Sequence, residues 1–348
     1  MNKIRLYLCA ALACTAIAGG QTQPGEPPEF QKREFVDSAG EALQYVVYVP
    51  PELAVEKAVP LLIFLHGSCG VCVTHERILK ESNLQFWHGY ERNVQREPTI
   101  LMARVGGRGG WTGASRQRVV FSIIDGLLEE FPIDRRRIYL QGFSMGGGGA
   151  WRYLQERPGF FAAANPQALS ARDLDAEKVK ETPIWATIGS DDSRADAMTA
   201  NVAAIRAANG DPRGGLPQVT GVNPRFAIFP DTNHGGAQGA TQKLPGFMDW
   251  MYSQVNDGNV APNVRFLQPE IDAQSASGTV TARVAAHDVE GGLARVEFYN
   301  GEAKIAEVTE EPFEYRYENL APGPQLLKAR AVDAHGKSRT AELLIQIE

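Results

Sequence analysis

The chain has 348 residues, 43% of them hydrophobic and 22% charged, enough to bury a full core and to divide into two domains. Its net charge of −6 comes without any block of lysines or arginines, which excludes the basic face a nucleic-acid binder needs.

Lys3 and Arg5 precede an apolar run from Leu6 to Ile17 that ends in Ala16-Ile17-Ala18, the pattern of a signal peptide over residues 1–18. A stable membrane span needs about 20 apolar residues, and this run is shorter and leads into polar, Pro-rich sequence. Secretion or release to the periplasm is therefore expected. Lipoprotein anchoring at Cys14 is the lesser alternative, because Ala11 stands where such signals usually carry Leu. Residues 19–33 read as a Pro-rich linker. Loss of the signal leaves Cys69 and Cys72, spaced C-x-x-C, in an oxidising compartment, and a short structural disulfide is expected. A redox pair would require a thioredoxin-like strand and helix around the motif, whereas here it follows His66-Gly67.

Glu34 to Val36 and Ala42 to Val49 flank Ala39-Gly40 as an antiparallel hairpin. Next come short, nearly continuous apolar runs of the kind buried on both faces: Leu61 to Leu65, Ile100 to Val105, Ile138 to Leu140, Phe160 to Ala164, Ile184 to Ile188 and Phe226 to Phe229. Helical patterns lie between or after them at Arg116 to Phe131, Met145 to Glu156, Ala195 to Ala208 and Leu244 to Val255. The alternation predicts a mostly parallel sheet flanked by helices, over residues 34–257. After Asn256-Asp257-Gly258 helical periodicity ends. About seven short strands between Val264 and Ile347 predict a small all-β sandwich over residues 263–348.

Gly142-Phe143-Ser144-Met145-Gly146 follows one buried strand and opens the helix that carries Trp151 and Leu154. In that context G-x-S-x-G marks a nucleophilic serine on a strained turn, with glycines where larger side chains would strike neighbouring backbone. The plainer alternative is a Gly-rich helix start capped by Ser144. A serine hydroxyl needs a base, itself oriented by a carboxylate. Of six histidines, His234 alone follows the last strand of the predicted sheet, in Asp231-Thr232-Asn233-His234-Gly235. The acid belongs between serine and histidine, where Ile184 to Ile188 runs into Gly189-Ser190-Asp191-Asp192, and the residues themselves leave both aspartates open. Backbone N–H groups of Met145 and Ser68 are assigned to the oxyanion hole. Trp111, between Gly109-Gly110 and Thr112-Gly113, is a candidate to stack on a sugar or aromatic acyl group, against the alternative of a packed aromatic. No cofactor and no metal is expected.

Leu65-His66-Gly67, Gly142-Phe143-Ser144-Met145-Gly146-Gly147, Gly189-x-x-Asp192 and Asn233-His234-Gly235 together resemble the α/β-hydrolase esterases near feruloyl esterases, poly(hydroxybutyrate) depolymerases and the carboxylesterases often labelled predicted peptidases. The resemblance covers roughly Glu34 to Gln254. It implies the α/β-hydrolase fold, a Ser-His-Asp triad and Asp192 as its acid. Two features depart from it: Ser193-Arg194 after the acid, and the Cys69-Gly70-Val71-Cys72 insertion beside the oxyanion loop. From Asn263 onward, Val296-Glu297-Phe298-Tyr299 and Ala329-Arg330-Ala331-Val332-Asp333 resemble bacterial immunoglobulin-like modules. Asp288, Glu290 and Asp333 there suit turn chemistry better than a calcium loop.

The reading is a secreted serine esterase acting through an acyl-enzyme on carboxylic esters attached to a polysaccharide or another bulky extracellular substrate. The short stretch from Pro166 to Thr182 leaves little room for a lid, and so an open cleft rather than a lipase's capped one. Two rivals stand beside it: a serine peptidase with the same triad, and a cell-surface binding protein whose hydrolase domain is inert.

Overall fold

The computed structural model describes residues 30–37, 40, 42–50, 53, 57–68, 97–104, 110–211, 213–217, 220–269, 274–275, 278–288 and 291–348. The expected signal peptide, most of the linker, and Cys69 with Cys72 lie outside these residues.

Eight strands form one sheet: β1 (Gln31–Val36), β2 (Ala42–Tyr48), β3 (Val59–Leu65), β4 (Ile100–Arg104), β5 (Ile133–Phe143), β6 (Ala163–Gln167), β7 (Trp185–Gly189) and β8 (Arg225–Phe229), in the order β1-β2-β4-β3-β5-β6-β7-β8. β1 and β2 pair antiparallel, β2 is antiparallel to β4, and β3 to β8 run parallel. β3 shows why the run is apolar throughout. Leu61, Ile63 and Leu65 enter the core on one face, Leu62 and Phe64 the core on the other, as the two-residue period of a strand requires.

Helices α1 (Ala114–Glu130), α2 (Met145–Glu156) and α4 (Ala195–Ala208) put Val120 and Ile124, Trp151 and Leu154, and Val202 and Ile205 into the first core. Each fully buried aliphatic chain of this kind contributes roughly 1.5–3 kcal/mol of burial free energy. Between them α3 (Ala176–Val179) is a single turn. α5 (Gly236–Lys243) follows β8, and α6 (Phe247–Ser253) covers the second core with Phe247 and Met251.

Several elements differ from the sequence reading. The strand expected at Phe160 to Ala164 lies three residues later, because Phe160 and Phe161 leave the sheet, Phe160 meeting Phe121 edge-on. The strand continues through Asn165, whose buried amide donates to the Trp185 carbonyl at 2.6 Å and receives Gln167 Nε2 at 2.6 Å. Polar groups satisfied in this way need no apolar signature. The helix expected from Leu244 begins instead after Pro245-Gly246, with Gly246 left-handed at φ 69°, while α5 escaped notice because Gly235, Gly236 and Gly239 dilute its pattern.

The C-terminal unit packs a five-stranded sheet on a three-stranded one around Phe298, Leu327, Val284 and Ile345. β9 (Asn263–Gln268), β11 (Val280–His287) and β14 (Glu314–Tyr317) form the smaller sheet. β12 (Leu293–Asn300), β13 (Ala303–Val308), β15 (Gly323–Asp333) and β16 (Ser338–Ile347), with the two-residue β10 (Gln274–Ser275), form the larger. This unit meets the first domain at the N-terminal edge of the parallel strands. Val264 N–H donates to Gly221 O at 2.8 Å just before β8, and Lys337 Nζ donates to Val255 O at 2.9 Å, Asn259 O at 2.6 Å and Asp257 Oδ1 at 2.5 Å.

Candidate active site

At the opposite, C-terminal edge, β5 runs into a sharp turn that stands Ser144 at φ 53°, ψ −119°, as the N-cap of α2. A left-handed serine costs about 1–3 kcal/mol and persists only where its surroundings hold it. Here its N–H donates to Gln167 O at 2.9 Å and its carbonyl accepts Gly148 N–H at 3.1 Å. The glycines around it answer to backbone. A Cβ on Gly142 would lie 2.1 Å from Gly146 O, one on Gly146 1.9 Å from Leu65 O, and one on Gly147 2.3 Å from Gln167 O. No side chain fits at those three positions.

His234 sits in the loop after β8. That loop is clamped to the end of β7, where Ser190 N–H donates to Phe229 O at 2.9 Å, Asp191 N–H to Thr232 O at 3.1 Å, and a Cβ on Gly189 would lie 2.0 Å from Thr232 O. His234 Nε2 stands 2.7 Å from Ser144 Oγ and His234 Nδ1 2.5 Å from Asp192 Oδ2. A carboxylate only accepts, so the imidazole proton belongs on Nδ1 and Nε2 receives the serine hydroxyl. The Asp192 side chain is 0% exposed, the His234 ring 33%. Phe143 packs beside the ring at 5.4 Å.

Burial pushes the Asp192 carboxyl up, but the hydrogen bond from His234, followed by that from the Arg194 N–H, outweighs it and holds the group below the ordinary carboxylate range. Arg194 was visible in the sequence only as a departure from the esterase pattern. Its backbone N–H and its Nη1 each donate to Asp192 Oδ1 at 3.1 Å, and the guanidinium, 44% exposed, also lies 3.3 Å from His234 Nδ1. Asp191 faces outward and is exposed, receiving Ser190 Oγ at 2.9 Å. Residue type gave no means of separating the two aspartates, whereas position does.

Met145 is the first residue of α2, where backbone N–H groups lack partners within the helix and the helix dipole is positive. The loop after β3 presses on the same turn: a Cβ on Gly67 would lie 3.0 Å from the Phe143 ring and 3.3 Å from Ser144 Cβ. Ser68 follows, exposed. Trp111 corrects the expectation that it stacks on substrate. It is 1% exposed, its Nε1 donates to His66 O at 2.9 Å, and its ring meets the His66 ring edge-on at 5.0 Å. Gly149 makes room for it, since a Cβ there would lie 2.6 Å from Trp111 Cβ. Trp111 is the packed aromatic, holding the loop that carries Gly67 and Ser68.

In the C-terminal unit Asp288 Oδ1 accepts Gly292 N–H at 3.0 Å, and Asp333 Oδ1 accepts the N–H groups of His335 and Lys337 at 2.8 Å, which is turn chemistry. Glu290 lies outside the described residues. Among those residues no helix is long and apolar enough to cross a membrane.

Residues 262–336 match the family described as bacterial Ig domain. Over 124 residues, 34% of this chain, the sequence is 32% identical to a bifunctional acetylxylan esterase/xylanase of Neocallimastix patriciarum, and the match spans 17% of that protein. Among solved structures, a thermostable esterase superposes with a TM-score of 0.52 at 22% identity, covering 65% of this chain and 63% of the other. The feruloyl esterase module of Clostridium thermocellum, an S954A mutant complexed with sinapinate, gives a TM-score of 0.51 at 16% identity, covering 65% and 88%. The chain thus has the α/β-hydrolase fold of these esterases, followed by an immunoglobulin-like β-sandwich.

Proposed function

We propose that this protein is an exported serine esterase that hydrolyses carboxylic esters, with acyl groups on polysaccharides as its substrates. The observation that carries the reading is the unbroken line of hydrogen bonds from Ser144 through His234 to the buried Asp192 at the C-terminal edge of the sheet. Ser144 Oγ attacks the ester carbonyl carbon as His234 Nε2 takes its proton. The alkoxide that forms is met by the N–H groups of Met145 and Ser68. Its collapse breaks the bond to the alcohol oxygen, which receives the proton from His234, and leaves an acyl-Ser144. Water, deprotonated by the same nitrogen, then attacks the acyl carbon, and collapse of that intermediate releases the acid as Ser144 Oγ regains the proton from His234. Asp192 accepts the hydrogen bond of the Nδ1–H throughout and stabilises the imidazolium without being protonated.

The names of the similar proteins, an acetylxylan esterase and a feruloyl esterase, support an acyl ester over a peptide. Export rests on the signal pattern over residues 1–18, and the immunoglobulin-like module suits an extracellular enzyme. Hydrolysis rates on acetyl, feruloyl, hydroxybutyrate and peptide substrates test the reading. The ester arms should turn over and the peptide arm should not. Ser144→Ala should lower turnover by roughly five to six orders of magnitude with the melting temperature unchanged. Activity of that variant within tenfold of the parent removes the assignment.

A further inference from the structure

The loop after β3 sets His66, Gly67 and Ser68 against the serine turn, and two hydrogen bonds from side chains decide how its peptide units face. His66 is 3% exposed, and its Nδ1 lies 2.6 Å from Gly67 O. A carbonyl oxygen only accepts, so the ring carries a hydrogen on Nδ1 and donates it there. Gly67 O and the Ser68 N–H belong to one planar trans peptide unit, in which carbonyl oxygen and amide hydrogen point in opposite directions. Drawing Gly67 O toward the buried imidazole therefore turns the Ser68 N–H away from the core. Ser68 is exposed, and the backbone just before it touches the nucleophile, since a Cβ on Gly67 would lie 3.3 Å from Ser144 Cβ. The donor thus leaves the core beside Ser144.

The imidazole is itself held. Trp111 Nε1 donates to His66 O at 2.9 Å, and the two rings meet edge-on at 5.0 Å. Trp111 has little room to shift, because it is 1% exposed and a Cβ on Gly149 of α2 would lie 2.6 Å from its Cβ. Two consecutive carbonyls, His66 O and Gly67 O, are therefore fixed by two ring N–H groups. We propose that His66 and Trp111 are positioning residues for the oxyanion hole: the imidazole aims the Ser68 N–H at the alkoxide, and the indole holds the imidazole. A glycine peptide left to itself rotates readily, and only one of its orientations presents the donor. Donors that stabilise a developing oxyanion must be in place before the charge forms, which a locked peptide plane provides. An apolar side chain could fill the space of His66 but could not turn the carbonyl. The role rests on the esterase reading and adds to it the means by which the second donor is set.

The test compares p-nitrophenyl acetate with its thiono analogue, in which sulfur replaces the carbonyl oxygen and, as a larger and weaker acceptor, makes poor use of fixed donors. Turnover is counted as the part that Ser144→Ala removes, in the full chain throughout. His66→Leu should lower kcat on the oxygen ester about thirtyfold or more with KM within about threefold, and shrink the oxygen-to-sulfur rate ratio about tenfold. His66→Asn, whose amide nitrogen can donate where the imidazole did, should recover most of that ratio. Trp111→Phe keeps a ring and loses the N–H, and should shrink the ratio about threefold. If the leucine variant does not fold, the asparagine and phenylalanine variants decide: the first should stay near the parent and the second should fall below it. A ratio unchanged in Trp111→Phe, or turnover lost equally on both esters, would overturn the proposal and leave the esterase reading standing. A parent with no Ser144-dependent turnover would remove the esterase reading, and this role with it.

Discussion

The two edges of the parallel sheet are built from the same strands and put to opposite use. At the C-terminal edge, bare glycines and clamped loops bring Ser144, His234 and Asp192 into one line, with a strained serine at its centre. At the N-terminal edge, the immunoglobulin-like module is fastened by ordinary hydrogen bonds, among them the three donated by Lys337. The difference teaches that in this fold chemistry concentrates where strands end and helices begin, because only there do helix N-termini and loop backbones converge on one point. The opposite edge is free to carry a second domain without disturbing it. Substitutions of the Ser144, His234 and Asp192 side chains at the first edge should therefore change turnover and spare stability, and those of the junction's hydrogen-bonding side chains at the second should do the reverse.

The largest effect expected at the catalytic edge, short of removing the nucleophile, comes from Asp192→Asn. It should lower kcat by roughly three to four orders of magnitude with the melting temperature nearly unchanged, while Asp191→Asn stays within about tenfold. Arg194→Met removes one bond to the same carboxylate and should fall between, at about tenfold. Steady-state kinetics beside thermal unfolding separate these, and a loss in Asp191→Asn as large as in Asp192→Asn would break the positional assignment.

At the junction, Lys337→Met removes three hydrogen bonds, those to Val255 O, Asn259 O and Asp257 Oδ1. It should cost about 1–3 kcal/mol of stability, seen in thermal unfolding, and leave hydrolysis of a small soluble ester unchanged. A drop in kcat with intact stability would show that the two edges communicate.

The smallest effect lies in the module alone. Burial pushes Glu297 up, but hydrogen bonds from Lys304, Tyr299 and Arg295 outweigh it and bring it down from 4.5 to about 2. A carboxylate depressed in the folded state adds stability that is complete above its unfolded value and fades as pH falls through the folded one. The module should therefore lose stability between about pH 4.5 and 2, and Glu297→Gln should flatten that slope. Calorimetry across the interval reads it. An unchanged slope in the variant would mean that other carboxylates govern it.

Much of the catalytic edge is legible in the sequence because its demands are local. Gly142, Gly146 and Gly147 stand where any Cβ would strike backbone, and Ser144 between them declares the turn. His234 follows from its place after the last strand. Asp192 could not be told from Asp191 by residue type, since burial and partner decide the role and both belong to the tertiary structure; the resemblance to known esterases supplied the choice. Stacking and packing stay open for Trp111 in the sequence for the same reason. An indole flanked by glycines looks available, and only the opposing Gly149 and the His66 carbonyl show that it is enclosed. The boundary after Gly258 is legible, but the contacts across the domain junction carry no signal. Its hydrogen bonds join residues some 40 to 120 positions apart, such as Asn223 with Asn263 and Thr220 with Glu342, through side chains that in sequence read as ordinary loop polarity.

The most direct test of the central claim is to treat the intact protein with a fluorophosphonate and locate the adduct by peptide mass spectrometry. A phosphonyl group on Ser144, formed rapidly in the parent and at least about a thousandfold more slowly in Asp192→Asn, is the predicted result. An unlabelled Ser144, or an adduct of equal rate in the two proteins, would contradict it.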